Sequence, residues 1–300
     1  MTKKQKILII VGPTASGKSS LAVELAKKFD GEIISADSRQ VYKGLDIGTG
    51  KVTKREMRGV PHHLLDVASP KRRFSAANFV KKATAAHTHI RKYERLSIVV
   101  GGTGYYIDVF TGRIALPDVA PNQRLRAQLA KKSPAQLFAL LKKRDPRRAQ
   151  TIEPHHTRRL IRALEIASAV GKSPDSTGLR NPYFDTLWIG IAPPFARIEK
   201  NILARLVKRT RNGMIEEARR LHKSGLSYKR MEELGLEYRS LARYLRQKIT
   251  KNEMIAELNR NIRRYAKKQL AYWKRNTDIR WFSPAQRGKI EGTVRMWLKT

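Results

Sequence analysis

The sequence predicts an α/β protein on a mostly parallel sheet, with a small helical insertion and a helical C-terminal part. Three observations predict it. From Ile7 to Val100, short apolar runs that end in glycine-rich or polar turns alternate with amphipathic stretches, as in strand–helix–strand units. From Arg113 the runs disappear, and Pro117, Pro121, Pro134, Pro146, Pro154, Pro174 and Pro182 punctuate short basic helical stretches. A buried-strand run returns at Thr186–Ile191, and helical periodicity dominates from Phe195. The expected division is 1–113 for the first part of the core, 114–182 for the insertion, and 183–300 for completion of the core and the basic C-terminal helices.

The first strand, Ile7-Leu8-Ile9-Ile10-Val11, runs into Gly12-Pro13-Thr14-Ala15-Ser16-Gly17-Lys18-Ser19 and then an amphipathic stretch from Ser20 to Phe29. This is G-x-x-x-x-G-K-[ST] between a strand and a helix, so the core is P-loop NTPase-like. The glycines let successive N–H groups turn inward on phosphate oxygens, and the helix start adds free donors and partial positive charge. Lys18 reaches an outer phosphate, and the Ser19 hydroxyl suits a Mg²⁺ ion. A glycine-rich turn with an incidental lysine is the plainer alternative.

A second strand, Glu32–Ala36, ends at Asp37-Ser38-Arg39-Gln40-Val41-Tyr42. Ligands collect outside the carboxyl ends of strands in open α/β sheets, which places Asp37 in the crevice of the phosphate loop. Capping a following short helix is an equal and compatible role for it. Gly44–Lys51 is a glycine-rich loop expected to line the same crevice, and Pro61–Val67 a short strand or extended arm. His62-His63 lacks a third ligand at suitable spacing, which favours packing or solvent over a metal. Ser75–Tyr93 is helical, with Phe79, Val80, Ala83, Ala86 and Ile90 on one face. The third strand, Leu96–Val100, ends in Gly101-Gly102-Thr103-Gly104-Tyr105-Tyr106. A triphosphate hydrolase would carry an aspartate there to hold Mg²⁺, so a hydrolytic motor is disfavoured.

In the insertion, Arg124–Lys132 and Gln136–Arg144 read as helices, and Arg158–Ile166 is amphipathic. Leu160, Ile161, Leu164 and Ile166 are expected to pack, with Arg158, Arg159 and Arg162 outward as a solvated basic face or a phosphate-binding one. His155-His156 also lacks a third ligand. Ile255–Lys274 places Ile255, Leu258, Ile262, Tyr265, Gln269, Tyr272 and Trp273 near one face, and Arg260, Arg263, Arg264, Lys267, Lys268 and Lys274 over the rest. Such a helix packs on a core and turns its basic side to an RNA backbone. Asp278–Phe282 resembles an edge strand before a final helix.

Against 63 Lys+Arg stand 25 Asp+Glu, a formal charge of +38 on 300 residues, so a nucleic acid is the leading partner. No long apolar run points to a membrane. With no cysteine there are no disulfides, thiolate zinc sites or cysteine nucleophiles. The first apolar run is cut by Gly12-Pro13 without a cleavage-type ending, so a cytoplasmic protein is expected.

Taken together and in order, Gly12–Ser19, Asp37–Tyr42 with Gly44–Lys51, Pro61–Pro70, Gly101–Tyr106, Arg158–Glu165 and Asn261–Trp273 resemble the bacterial tRNA dimethylallyltransferases. The resemblance implies transfer of a dimethylallyl group from dimethylallyl diphosphate to N6 of the adenosine 3′-adjacent to the anticodon, with tRNA and the diphosphate as partners and Mg²⁺ as cofactor. It implies that Gly12–Ser19 grips the donor diphosphate, that Asp37 is the base and that Thr103 stands near the transferred group with Lys18 on the leaving group. Ser38 and Gln40 are implied readers of the flipped adenine. Arg39 in the core and Arg124, Arg126, Arg158, Arg159 and Arg162 in the insertion are implied contacts to RNA or diphosphate. A monomer is expected.

This chain departs from the family in having His155-His156 where Asn-Asp is frequent, and Gly235-Leu236-Glu237-Tyr238-Arg239 where many members have Gly-Tyr-Arg. It also lacks the cysteines of the eukaryotic zinc-finger extension, in keeping with a prokaryotic type. The alternative readings are a P-loop kinase acting on a small molecule or nucleotide, a transferase for free adenine nucleotides, and a non-catalytic RNA-binding protein.

Overall fold

A computed structural model describes residues 4–171 and 183–300. They form two compact units, Met1–Thr111 with Asn181–Thr300, and Gly112–Arg180. The expected end of the insertion at 182, with Pro174 and Pro182, lies outside the described residues.

In the first unit the chain runs β1 (Gln5–Val11), α1 (Lys18–Lys28), β2 (Gly31–Ser35), α2 (Lys54–Met57), β3 (His62–His63), α3 (Ala76–Lys92), β4 (Leu96–Val100) and α4 (Gly104–Phe110). The second unit holds α5 (Gln123–Leu129), α6 (Pro134–Arg144), α7 (Pro146–Thr151) and α8 (Thr157–Val170). The first then resumes with β5 (Phe184–Ile191), α9 (Phe195–Arg211), α10 (Met214–Lys223), α11 (Tyr228–Leu234), α12 (Leu236–Leu245), α13 (Lys251–Trp273), β6 (Ile279–Phe282) and α14 (Arg287–Lys299).

Among the described residues the sheet has six strands in the order β3-β2-β4-β1-β5-β6, paired in parallel throughout. β1 lies between β4 and β5, with Ile10 opposite Val100 and Ile189. Both faces of the sheet are covered, which is why the strand runs are apolar without alternation. Ile7, Ile9 and Val11 pack with Phe79, Ile90, Phe110 and Trp273 on one face. Leu8 and Ile10 pack with Leu21, Leu25, Ile290 and Val294 on the other. A separate cluster joins Val41, Tyr42 and Leu45 to α9–α13, so the segment after Asp37 is clamped by the C-terminal helices.

Capping boxes at Ser75/Asn78 and Thr250/Glu253 start α3 and α13 by pairing end N–H groups that would otherwise be free. The extended arm at Pro61–Val67 contributes only His62–His63 to the sheet. There His62 Nδ1 lies 2.8 Å from the Val60 carbonyl, and His63 Nε2 lies 2.6 Å from Glu32. Among the described residues no helix is long and apolar enough to cross a membrane.

Candidate active site

The phosphate loop is held from three sides. Gly12 has φ +151, and a Cβ there would lie 2.4 Å from the Ile191 carbonyl, so this position requires glycine. Ala15 sits at φ 62, a strained value for alanine, and its carbonyl accepts Asn201 Nδ2 from α9 at 3.2 Å. Thr14 N–H donates to Gln269 Oε1 of α13 at 2.8 Å. Ser16 Oγ is buried with no hydrogen-bond partner among the described residues, a donor without a receiver inside an anion cradle. Gly17 caps α1 in the left-handed region, and Ser19 is exposed in the first turn.

Lys18 is half-buried, and its Nζ donates to the Pro13 carbonyl at 3.1 Å. Burial lowers its ammonium from 10.5 to about 8; the Asp37 charge opposes this, and the Arg205 charge adds to it. Lys18 therefore feels the charges of both Asp37 and Arg205. Arg205 on α9 is exposed beside Gly50, at the end of the Gly44–Lys51 loop. Its position beneath the loop went unread in the sequence, because it lay in one of many basic helices.

Asp37 lies just beyond β2. Its Oδ1 accepts from Arg39 N–H at 2.8 Å and Gln40 N–H at 3.2 Å. The expected short helix after it is a turn, so Asp37 caps a turn and not a helix. Among the described residues no donor is bonded to Oδ2, which leaves one oxygen of the carboxylate for other work. Thr103 Oγ1 accepts Ser38 N–H at 3.0 Å, and Thr103 N–H donates to the Ala36 carbonyl. The ends of β2 and β4 are thereby stitched together, with the hydroxyl beside Asp37. Gln40 Nε2 donates to the Gly50 carbonyl at 3.3 Å. Tyr265 of α13 is half-buried here, its phenol pushed up first by burial and then by the Asp37 charge.

The Gly44–Lys51 loop is fastened from below by a residue that went unread in the sequence. Glu217 of α10 is 3% exposed and accepts N–H from Asp46, Ile47 and Gly48 at 2.7–2.9 Å, with Tyr238 O–H at 2.7 Å. The segment that departs from Gly-Tyr-Arg thus acts as a brace: Tyr238 holds Glu217, and Glu237 pairs with Arg209, which also donates to the Gly48 carbonyl. On α13, Arg264 and Lys268 are exposed, Arg263 pairs with Glu199, and Lys267 lies over the Phe195 ring.

In the second unit, considered by itself, the outward reading of Arg162 is corrected. Arg162 is half-buried and donates to Glu165 and to the Val119 carbonyl, and Arg126 grips the same Glu165 through Nε and Nη2 at 2.9 and 2.7 Å. Asn122 N–H adds a bond at 2.6 Å. Burial would raise Glu165, but these bonds outweigh it and hold the carboxyl below the usual range. Arg124, Arg158 and Arg159 are exposed. His156 caps α8 by accepting Arg159 N–H.

The fold defines a P-loop protein in which Thr103 follows β4, where a hydrolase would hold its metal with an aspartate, and is hydrogen-bonded to the turn that begins at Asp37. The family model described as IPP transferase matches residues 40–276. A tRNA dimethylallyltransferase of Caldanaerobacter subterraneus subsp. tengcongensis is 37% identical over 92% of this chain and 91% of its own. The crystal structure of a tRNA isopentenylpyrophosphate transferase from Bacillus halodurans is similar at 36% identity and TM-score 0.75, covering 99% of this chain and 97% of that one. A eukaryotic dimethylallyltransferase acting on tRNA is similar at 25% identity and TM-score 0.81, over 93% of this chain and 74% of that one. The chain belongs to the IPP transferase family and is a prenyltransferase, not the kinase of the alternative reading.

Proposed function

We propose that this protein transfers a dimethylallyl group from dimethylallyl diphosphate to N6 of the adenosine immediately 3′ of the tRNA anticodon, acting as a monomer in the cytoplasm. The observation that supports the reading is that the Lys18 ammonium, in the P-loop, feels the charge of the Asp37 carboxylate. In the reaction the bond from the allylic carbon to the diphosphate oxygen breaks, the bond from that carbon to N6 forms, and N6 gives up a proton. An exocyclic adenine amine is a weak nucleophile, and Asp37 Oδ2 takes that proton as the bond forms, help typically worth ~10²–10⁴-fold. Negative charge gathers on the departing diphosphate, where the loop N–H groups, the Ser16 hydroxyl and Lys18 receive it. Thr103 holds the turn after Asp37 in place and stands beside the transferred group. Ser38 and Gln40 read the adenine once it has left its stack, and Arg39 contacts the RNA.

The residues present suit a Mg²⁺ ion held largely by the substrate. Ser19 offers one hard hydroxyl oxygen, and among the described residues no cluster of three or more His, Cys, Asp or Glu forms a metal cage. When bound, the ion neutralises diphosphate charge. Arg124, Arg158 and Arg159 of the insertion and the exposed face of α13 are the proposed contacts to the RNA backbone, whereas Arg126 and Arg162 reach it only by leaving Glu165.

The test is incubation with dimethylallyl diphosphate, Mg²⁺ and unmodified tRNA, followed by mass spectrometry of the nucleosides. Adenosine carrying one five-carbon unit is the expected product, and Asp37→Ala should cut its formation by at least ~10²-fold with tRNA affinity nearly unchanged. Equal loss of both would make Asp37 an RNA anchor, and transfer of labelled γ-phosphate from ATP would mark a kinase.

A further inference from the structure

Gln269 is a polar side chain on the apolar face of α13, and it is 5% exposed. Its amide spans two loops: Oε1 accepts Thr14 N–H at 2.8 Å, and Nε2 donates to the Gly102 carbonyl at 2.9 Å. The fit is close, since a Cβ on Gly102 would lie 2.2 Å from Nε2, and one on Gly104 would lie 2.2 Å from the Tyr272 ring. The first loop carries Lys18. The second carries Thr103, whose hydroxyl holds the turn that begins at Asp37.

We propose that Gln269 is a positioning residue for prenyl transfer, fixing the span between the phosphate loop and the Thr103–Asp37 wall. The inference rests on the proposed function. Donor and acceptor must lie in one crevice with their reacting atoms near contact, and a displacement of about 1 Å can cost ~10²-fold in rate. Gln269 touches neither substrate; it holds the strand-end loops that do. The work demands an amide. A carboxylate would set an oxygen against the Gly102 carbonyl, while a hydrocarbon would leave a buried N–H and a buried carbonyl unpaired. A protonated carboxyl group restores the pattern, because its C=O accepts from Thr14 and its O–H donates to Gly102.

The test uses the full chain as wild type, Gln269→Leu and Gln269→Glu. Rate is measured at saturating donor and tRNA, and binding of Mg²⁺-pyrophosphate and of tRNA is measured in parallel. For Gln269→Leu, kcat should fall ~10–100-fold while both dissociation constants stay within about 3-fold. For Gln269→Glu, kcat relative to wild type at the same pH should rise as pH is lowered from about 8 to about 5.5, as the buried carboxyl gains its proton. The ratio cancels any titration common to both proteins, and the rise counts only where circular dichroism shows the variant folded at both ends of the pH range. Three outcomes overturn the inference: a leucine variant within about 2-fold of wild-type kcat, a glutamate ratio flat with pH, or a loss accounted for wholly by weaker pyrophosphate binding. If the leucine variant does not fold, the glutamate ratio decides. A wild-type protein that prenylates no tRNA sinks the proposed function and this inference with it; an active wild type with both variants equally active sinks the inference alone.

Discussion

Glu165 in the insertion and Glu217 in the core are buried to nearly the same extent, 2% and 3% exposed, and are compensated in opposite ways. Glu165 is met by the guanidinium groups of Arg126 and Arg162, with Asn122 N–H added. Glu217 has the N–H groups of Asp46, Ile47 and Gly48 and the Tyr238 hydroxyl, all donors to an acceptor, with no cation in the set. A carboxylate held by cations ties up side chains that would otherwise face a polyanion. One held by backbone dipoles fixes the path of the chain itself, here the loop that ends at Gly50 beside Gln40 and Arg205. The first arrangement governs how much charge the surface offers, and the second governs the shape of the crevice.

The largest effect expected from this contrast is at Glu217. Glu217→Ala strands buried N–H groups and should lower stability by about 4 kcal/mol in urea unfolding, with prenyl transfer lost alongside. Glu217→Gln should lose roughly half as much, and a glutamine variant as stable as wild type would break the claim that dipoles hold a carboxylate there.

Next is Glu165→Gln, expected to cost the insertion about 2–3 kcal/mol by leaving two guanidinium groups undercompensated. By releasing Arg126 and Arg162 it should also steepen the salt dependence of tRNA binding by about one to two units, measured by titration at several salt concentrations; an unchanged slope would show that neither arginine reaches RNA when freed. The lowered Glu165 carboxyl contributes stability that is complete above the unfolded value, near 4.3, and is lost as pH falls through the folded one.

Lys18 sharpens the contrast as a charge with neither form of compensation in full. Its ammonium is charged below about 8, so pyrophosphate affinity should decline as pH rises past that value, and binding near pH 8 should take up a proton. Calorimetry in two buffers of different ionisation enthalpy reads the uptake, and Lys18→Met should abolish it. The smallest effect is expected on the exposed face of α13. Arg264→Glu should leave stability within about 0.5 kcal/mol and reduce the tRNA salt slope by about one unit. A larger change in stability would mean that this arginine packs.

What the sequence made legible was local. The phosphate loop was readable because eight adjacent residues set its own backbone, and the strands because both faces of the sheet demand apolar side chains. Glu217 was hidden because its backbone partners lie 169–171 residues earlier, and Gln269 because its partners lie 255 and 167 residues away. A polar residue recurring on the buried face of α13 was the signal for Gln269. The Arg162–Glu165 pair was available at i,i+3 spacing, yet the outward placement of Arg162 ignored that a buried glutamate needs cations or dipoles to meet it.

The loop at Gly12–Ser19 precedes in the chain every wall that holds it, since these come from Ile191, Asn201 and Gln269. A cradle built this way is complete only once α13 has packed, so a chain cut before Gln269 should bind pyrophosphate more weakly than the full one.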